Sequence, residues 1–171
     1  LGGNFNSRLN LNLREDKGWT YGARSGFAAD KYSGTFEFSS GIRADATDSA
    51  LHEVMKDVKN YLQNGPSDEE LSFMKSAIAQ SDARNYETGF QKAAFIGRIL
   101  DYNLPANYIE QQSKILKSMT KEQLKAISGK YIQPEKMNIL LVGDKAKILN
   151  GVKKLGYEVV ELDVDGNKVS E

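Results

Sequence analysis

Apolar residues recur along this chain first with a helical and then with a strand period. Phe5, Leu9 and Leu13 fall at i, i+4 and i+8, which predicts one face of a helix ending near Glu15. Gly18 supplies a stop, because glycine enters the left-handed cap conformation cheaply. Trp19 to Ala29 then alternates as a strand, Asp30-Lys31-Tyr32-Ser33-Gly34 is a turn cluster, and Thr35 to Arg43 reads as a second strand. In that second strand Phe36 and Phe38 take one face, with Glu37 and Ser39 on the other. The two strands predict an antiparallel hairpin.

The middle of the chain is helical. Asp48 reads as the cap of a helix carrying Leu51, Val54, Met55, Val58 and Leu62, which Gly65-Pro66 ends. Ser67-Asp68-Glu69-Glu70 is a capping box that opens a helix through Leu71, Met74 and Ile78. Its pattern runs past Tyr86, bends near Gly89 and reaches Leu100. After a break at Asn103-Leu104-Pro105, one helix carries Tyr108, Ile109, Ile115 and Leu116. A second capping box, Thr120 to Gln123, opens the next, with Leu124, Ile127 and Tyr131. Pro134 marks a switch to strand, and Met137 to Val142 is a short apolar run predicted as a buried central strand. Lys145 to Leu155 reads as a helix ended by Gly156, and Tyr157 to Leu162 as a last strand. This order predicts an α+β fold, a mainly antiparallel sheet with helices on one face, in a single domain over 1–171.

Composition narrows the function classes. Lys plus Arg and Asp plus Glu both number 23, so no net field points to nucleic acid or an anionic membrane. No apolar run approaches the roughly twenty residues of a membrane span. Cysteine is absent, which leaves bacterial cytoplasm and periplasm both open. Leu1 opens the chain without an initiator methionine, as expected of a segment of a longer polypeptide.

The chain has one histidine, His52, with no second histidine within helical reach, so it lacks a zinc ligand set and none is expected to bind. His52 itself is expected on the exposed side of its helix. Asp163-Val164-Asp165-Gly166-Asn167 has the acidic spacing of a calcium loop. Its closing glutamate is missing, however, since Glu171 comes too early, and a polar turn is the better account. Gly2-Gly3 with Gly18 and Gly22 match neither phosphate-loop pattern and read as turn and packing glycines. Arg24, Arg43, Arg84 and Arg98 have no evident partner and read as solvated.

Arg14 and Tyr21 stand out. A guanidinium leaves the end of the first helix as a phenol enters the first strand. These are two donors without a basic nitrogen between them, suited to holding a carbonyl or an oxyanion. Spacing alone fits equally an arginine favoured by a helix C-terminus and a half-buried strand tyrosine. Asn6, Asn10 and Arg14 share a stripe at i, i+4 and i+8, which reads either as a substrate-facing wall or as an ordinary solvated face.

The run LGGNFNSRLNLNLREDKGWTYG supplies Leu1-Gly2-Gly3, Ser7-Arg8-Leu9, Leu13-Arg14-Glu15, Gly18, Tyr21 and Gly22. In that order and spacing it resembles the opening of the second half-domain of the pitrilysin, insulinase and mitochondrial processing peptidase family of zinc metallopeptidases. The resemblance implies a half-domain lacking the family's first strand and helix. It also implies a partner half, fused or separate, that carries a His-x-x-Glu-His zinc site whose glutamate acts as general base. On that footing Arg14 and Tyr21 are the catalytic and substrate-binding pair, with Asn10 as a further substrate contact, and a peptide is the substrate. The chain alone should be inactive, and an uncovered sheet edge would favour a homodimer. The alternative implied by the same superfamily is a non-catalytic assembly subunit.

Overall fold

The computed structural model describes residues 1–84 and 86–169. They form two compact units, one of Leu1–Ala28, Thr35–Lys59 and the chain from Pro134 onward, the other of Ala29–Gly34 with Asn60–Gln133. The class is α+β, as the hydrophobic pattern predicts.

In the first unit, α1 (Arg8–Asn10) widens at once into a π-helix, Leu11–Asp16. Phe5 lies in the turn before the helix, which starts at Arg8. Leu9 and Leu13 are fully buried while Phe5, expected on the same face, is exposed. Gly18 does end the helix: it adopts φ +64° and its N–H donates to the Arg14 carbonyl at 3.1 Å. The hairpin follows as β1 (Thr20–Ala29) and β2 (Gly34–Ile42). Phe36, Phe38, Ser40 and Ile42 are half-buried on one face of β2, and Glu37 and Ser39 point outward. A 3₁₀ turn, Ala44–Ala46, precedes α2 (Thr47–Asn64), so Asp48 lies in the first turn of α2 and is not its cap. Ala50, Val54 and Val58 are the buried stripe of that helix, and His52 is exposed. The last helix, α7 (Lys145–Lys153), is capped by Asp144, whose carboxylate accepts the Ala146 N–H at 3.0 Å.

The second unit is helical. Gly65, at φ +72°, ends its first segment with a bond to the Tyr61 carbonyl. Ser67 and Glu70 exchange the two bonds of a capping box and open α3 (Asp68–Arg84). The single long helix expected from Leu71 to Leu100 is instead two. Thr88 and Gln91 form a second box that starts α4 (Gly89–Asp101), because a threonine hydroxyl satisfies the orphan N–H groups that an unbroken helix would not have. Further on lie α5 (Tyr108–Ser118) and α6 (Lys121–Tyr131), the latter opened by the Thr120–Gln123 box.

Two expected strands are absent among the described residues. Pro134 enters a 3₁₀ turn, Pro134–Lys136, and Met137–Val142 beyond it belongs to no helix or strand and is largely exposed. An apolar run is buried only when a neighbouring strand takes up its backbone groups, and no described segment does so. Tyr157–Leu162 likewise forms no ladder, only a single bridge between Leu162 and Lys168. The Asp163–Asn167 segment is a polar turn in which Asp163 Oδ1 accepts the Asp165 and Asn167 N–H groups. The Arg84 side chain and Glu171 lie outside the described residues.

Candidate substrate-gripping site

Everything about the Arg14–Tyr21 segment is fixed from its backbone outward. The Lys17 N–H reaches the Asn12 carbonyl at 3.0 Å, Gly18 reaches Arg14, and the Trp19 N–H reaches the Leu13 carbonyl at 2.9 Å. The π-helical turn and its glycine cap thus close directly onto the residue that precedes the strand. Across the strand, the Arg43 N–H bonds the Trp19 carbonyl at 3.0 Å. The Thr20 hydroxyl meets the Gly41 carbonyl at 2.8 Å and Ser40 Oγ at 2.9 Å. The Cα positions of Arg14 and Tyr21 are therefore held by hydrogen bonds that involve neither side chain.

Tyr21 is 99% exposed, and its hydroxyl has no hydrogen-bond partner among the described residues. A phenol with this much area in water contributes nothing to a core; it is available for something outside the unit. Arg14 is partly covered. Its guanidinium lies 4.3 Å above the Phe5 ring, and Nη1 donates to Glu15 Oε1 at 2.7 Å. The exposed Phe5 is thereby a platform for a cation.

Asn10 has a different position from the one expected of a substrate contact. It is 4% exposed, and both ends of its amide are used internally. Oδ1 accepts the Ala23 N–H at 2.8 Å, and Nδ2 donates to the Ala23 carbonyl at 2.8 Å, with longer contacts to the Asn4 carbonyl and Ser7 Oγ. The side chain pairs with the N–H and C=O of one β1 residue, as a neighbouring strand would. The stripe of Asn6, Asn10 and Arg14 is thus no continuous wall: the π-turn and this inward clamp separate its middle member from the surface. Asn10 is a positioning residue: it clamps Ala23, two positions from Tyr21 along the strand.

A further asparagine went unnoticed in the sequence. Asn12 Nδ2 donates to both Glu53 Oε2 and Asp57 Oδ2 at 3.0 Å, tying the π-helix to one face of α2. The Asn12 amide, then Lys56, holds the Glu53 carboxyl below the usual carboxylate range. The i, i+4 spacing of Glu53 and Asp57 was readable; the amide that joins them, forty residues away in sequence, was not.

No group of His, Cys, Asp or Glu among the described residues can hold a metal ion, and the exposed His52 stands without a second nitrogen ligand, so the residues present do not fit zinc. No described helix is long and apolar enough to cross a membrane.

Residues 1–78, which include Asn10, Arg14 and Tyr21, match the family model described as the peptidase M16 inactive domain. The chain is similar to a solved peptidase M16 inactive domain from Pseudomonas fluorescens, at 33% identity and TM-score 0.72, over 78% of this chain and 32% of that one. It is similar to the periplasmic protease PqqL from Escherichia coli, at 22% identity and TM-score 0.61, over 72% of this chain and 14% of the other. A conserved protein from Enterococcus faecalis V583 shares 16% identity at TM-score 0.64, over 74% and 29%. The last two likenesses are of fold alone. The chain spans a third or less of each of these proteins. No curated protein sequence matches it.

Proposed function

We propose that the chain, similar over residues 1–78 to the peptidase M16 inactive domain, is the inactive C-terminal half of a pitrilysin-like peptidase and grips peptide substrate for a zinc-bearing partner half. In this reading Arg14 holds a backbone carbonyl of the substrate, and the Tyr21 hydroxyl donates to the oxyanion that develops at the scissile carbon. Zinc belongs to the partner half, fused or separate.

The observation that carries the reading is Tyr21: fully exposed, unbonded, and standing on a strand whose start is pinned by the Asn10–Ala23 clamp and the closed turn at Gly18. An oxyanion donor needs that combination, a free O–H on a backbone that does not move. The Arg14–Glu15 contact favours a second reading, a non-catalytic assembly subunit in which the arginine is merely paired.

Kinetics of the assembled two-half enzyme separate the two. Tyr21→Phe is expected to lower kcat by about a hundred- to a thousand-fold, the usual effect of losing one oxyanion donor, with KM and melting temperature little changed. Arg14→Ala is expected to raise KM and lower kcat together, since a carbonyl clamp acts before and during the chemistry. Unchanged kcat in Tyr21→Phe would assign the chain to the assembly role.

A further inference from the structure

The exposed ring of Tyr21 has no packing to aim it, so the direction of its hydroxyl is set by the backbone beneath it. That backbone is held on both sides. Before it, the Trp19 carbonyl takes the Arg43 N–H at 3.0 Å. After it comes Gly22, and a glycine brings the widest backbone freedom to the place where an oxyanion donor needs the least.

Two hydroxyls remove that freedom. Thr20 Oγ1 accepts the Gly22 N–H at 3.0 Å and lies 2.8 Å from the Gly41 carbonyl, 2.9 Å from the Gly22 carbonyl and 2.9 Å from Ser40 Oγ. Ser40 Oγ in turn donates to the Gly22 carbonyl at 2.9 Å. One proton on each hydroxyl serves both carbonyls, with Thr20 donating to Gly41 and Ser40 to Gly22. The N–H and C=O of Gly22 are thus both engaged by side chains, as those of Ala23 are by the Asn10 amide. Side-chain bonds of this kind compete with a strand's own pairing, and a valine at position 20, of the same shape and β preference, would suit the strand as well. What the hydroxyls add is a fixed peptide next to Tyr21.

We infer that Thr20 and Ser40 are positioning residues: they act through Tyr21, holding the Gly22 backbone so that the phenol O–H meets the oxyanion. This role rests on the oxyanion function proposed for Tyr21. A donor moved by about 1 Å loses its hold on the transition state, so the effect falls on the chemical step and not on substrate binding.

The test is kinetic, in the assembled two-half enzyme with an internally quenched peptide that the parent cleaves. Thr20→Val is expected to lower kcat about ten-fold with KM within about two-fold, and Thr20→Ser, which keeps the hydroxyl, to stay near the parent. Ser40→Ala is expected to lower kcat by about three-fold, since Thr20 still holds the Gly22 N–H. In a Tyr21→Phe background neither substitution should lower kcat further, because a hydroxyl that is gone cannot be misaimed. A loss that came from a weakened domain would persist in that background and follow the melting temperature. Should Thr20→Val fail to fold, the cycle of Ser40→Ala with Tyr21→Phe reads the same way. Where Tyr21→Phe lowers kcat, a Thr20→Val enzyme at the parental kcat, or one with an equal loss in both backgrounds, would overturn the positioning role alone. Unchanged kcat in Tyr21→Phe would overturn the oxyanion function and the positioning role with it.

Discussion

Asn10→Ala should be the most damaging single truncation in the first unit. The amide it removes meets both backbone polar groups of one buried strand residue. Ala23 is fully buried, and its N–H and C=O each meet Asn10 at 2.8 Å. Leaving a buried donor or acceptor unpaired costs about 1–3 kcal/mol. Two such groups set an upper range, and water entering the space of the lost amide relieves part of it, so a loss of about 2–4 kcal/mol is expected. Trp19 is the chain's only tryptophan and lies four residues from Ala23, half-buried, so its fluorescence in a urea titration reports this unit directly. Asn12→Ala is the control: its amide bonds side chains at a partly open surface, where water replaces it, and about 1 kcal/mol or less should be lost. Asn10→Asp keeps the acceptor for the Ala23 N–H but sets a carboxylate beside the Ala23 carbonyl, so it should recover stability as pH falls and the group takes up a proton. An Asn10→Ala midpoint within about 0.5 kcal/mol of the parent would mean that water serves Ala23 as well as the amide does, and the clamp would be incidental.

Three other outcomes are expected. Gly2→Ala would put a methyl 2.5 Å from Ser25 Oγ and 2.6 Å from the Ser25 nitrogen, which is itself held by a 3.0 Å bond to the Gly2 carbonyl; overpacking of this kind costs about 1–3 kcal/mol, read as a lowered urea midpoint. Glu53, whose carboxyl the Asn12 amide and Lys56 hold low, favours the fold above its unfolded pKa and ceases to as pH falls through the lower folded value, so Glu53→Gln should flatten the acid limb of a stability–pH profile. The purified chain should carry no stoichiometric zinc by atomic absorption and cleave no peptide, given its single histidine and lack of cysteine.

What could be read from the sequence was what three or four adjacent residues decide. Gly18 and Gly65 had to take left-handed conformations, and the Ser67 and Thr120 boxes had to start helices, because caps are satisfied by their own neighbours. The same signal was present and overlooked at Thr88-Gly89-Phe90-Gln91, where continuous helical periodicity masked a threonine with glutamine three residues on. The π-turn at Leu11–Asp16 left no comparable mark, since one extra residue in a turn changes which side chains share a face without changing composition. Phe5 lies outside the core because it precedes the helix, which starts only at Arg8. The apolar run Met137–Val142 read as a buried strand, but the structure forms no strand there, for a strand needs a pairing partner that a local pattern cannot supply.

The contact between Arg14 and Glu15 does not by itself make the arginine structural. The pair joins adjacent residues, is partly open to water on both sides, and belongs to a class of ion pair worth about 0–1 kcal/mol. In the proposed reading, replacing Glu15 by a substrate carbonyl gives up little, and the Phe5 ring under the guanidinium would keep the head group in place while its partner is exchanged. Tyr21 gives up nothing internal, having no partner among the described residues. The expense of placing these two groups is borne instead by residues that never reach the surface: the buried Leu9 and Leu13, the Asn10 amide on Ala23, and the glycine cap that turns helix into strand. A pair of weakly committed side chains on a firmly committed backbone is the arrangement that electrostatic catalysis asks of its donors, because reorganisation at the moment of reaction is then small.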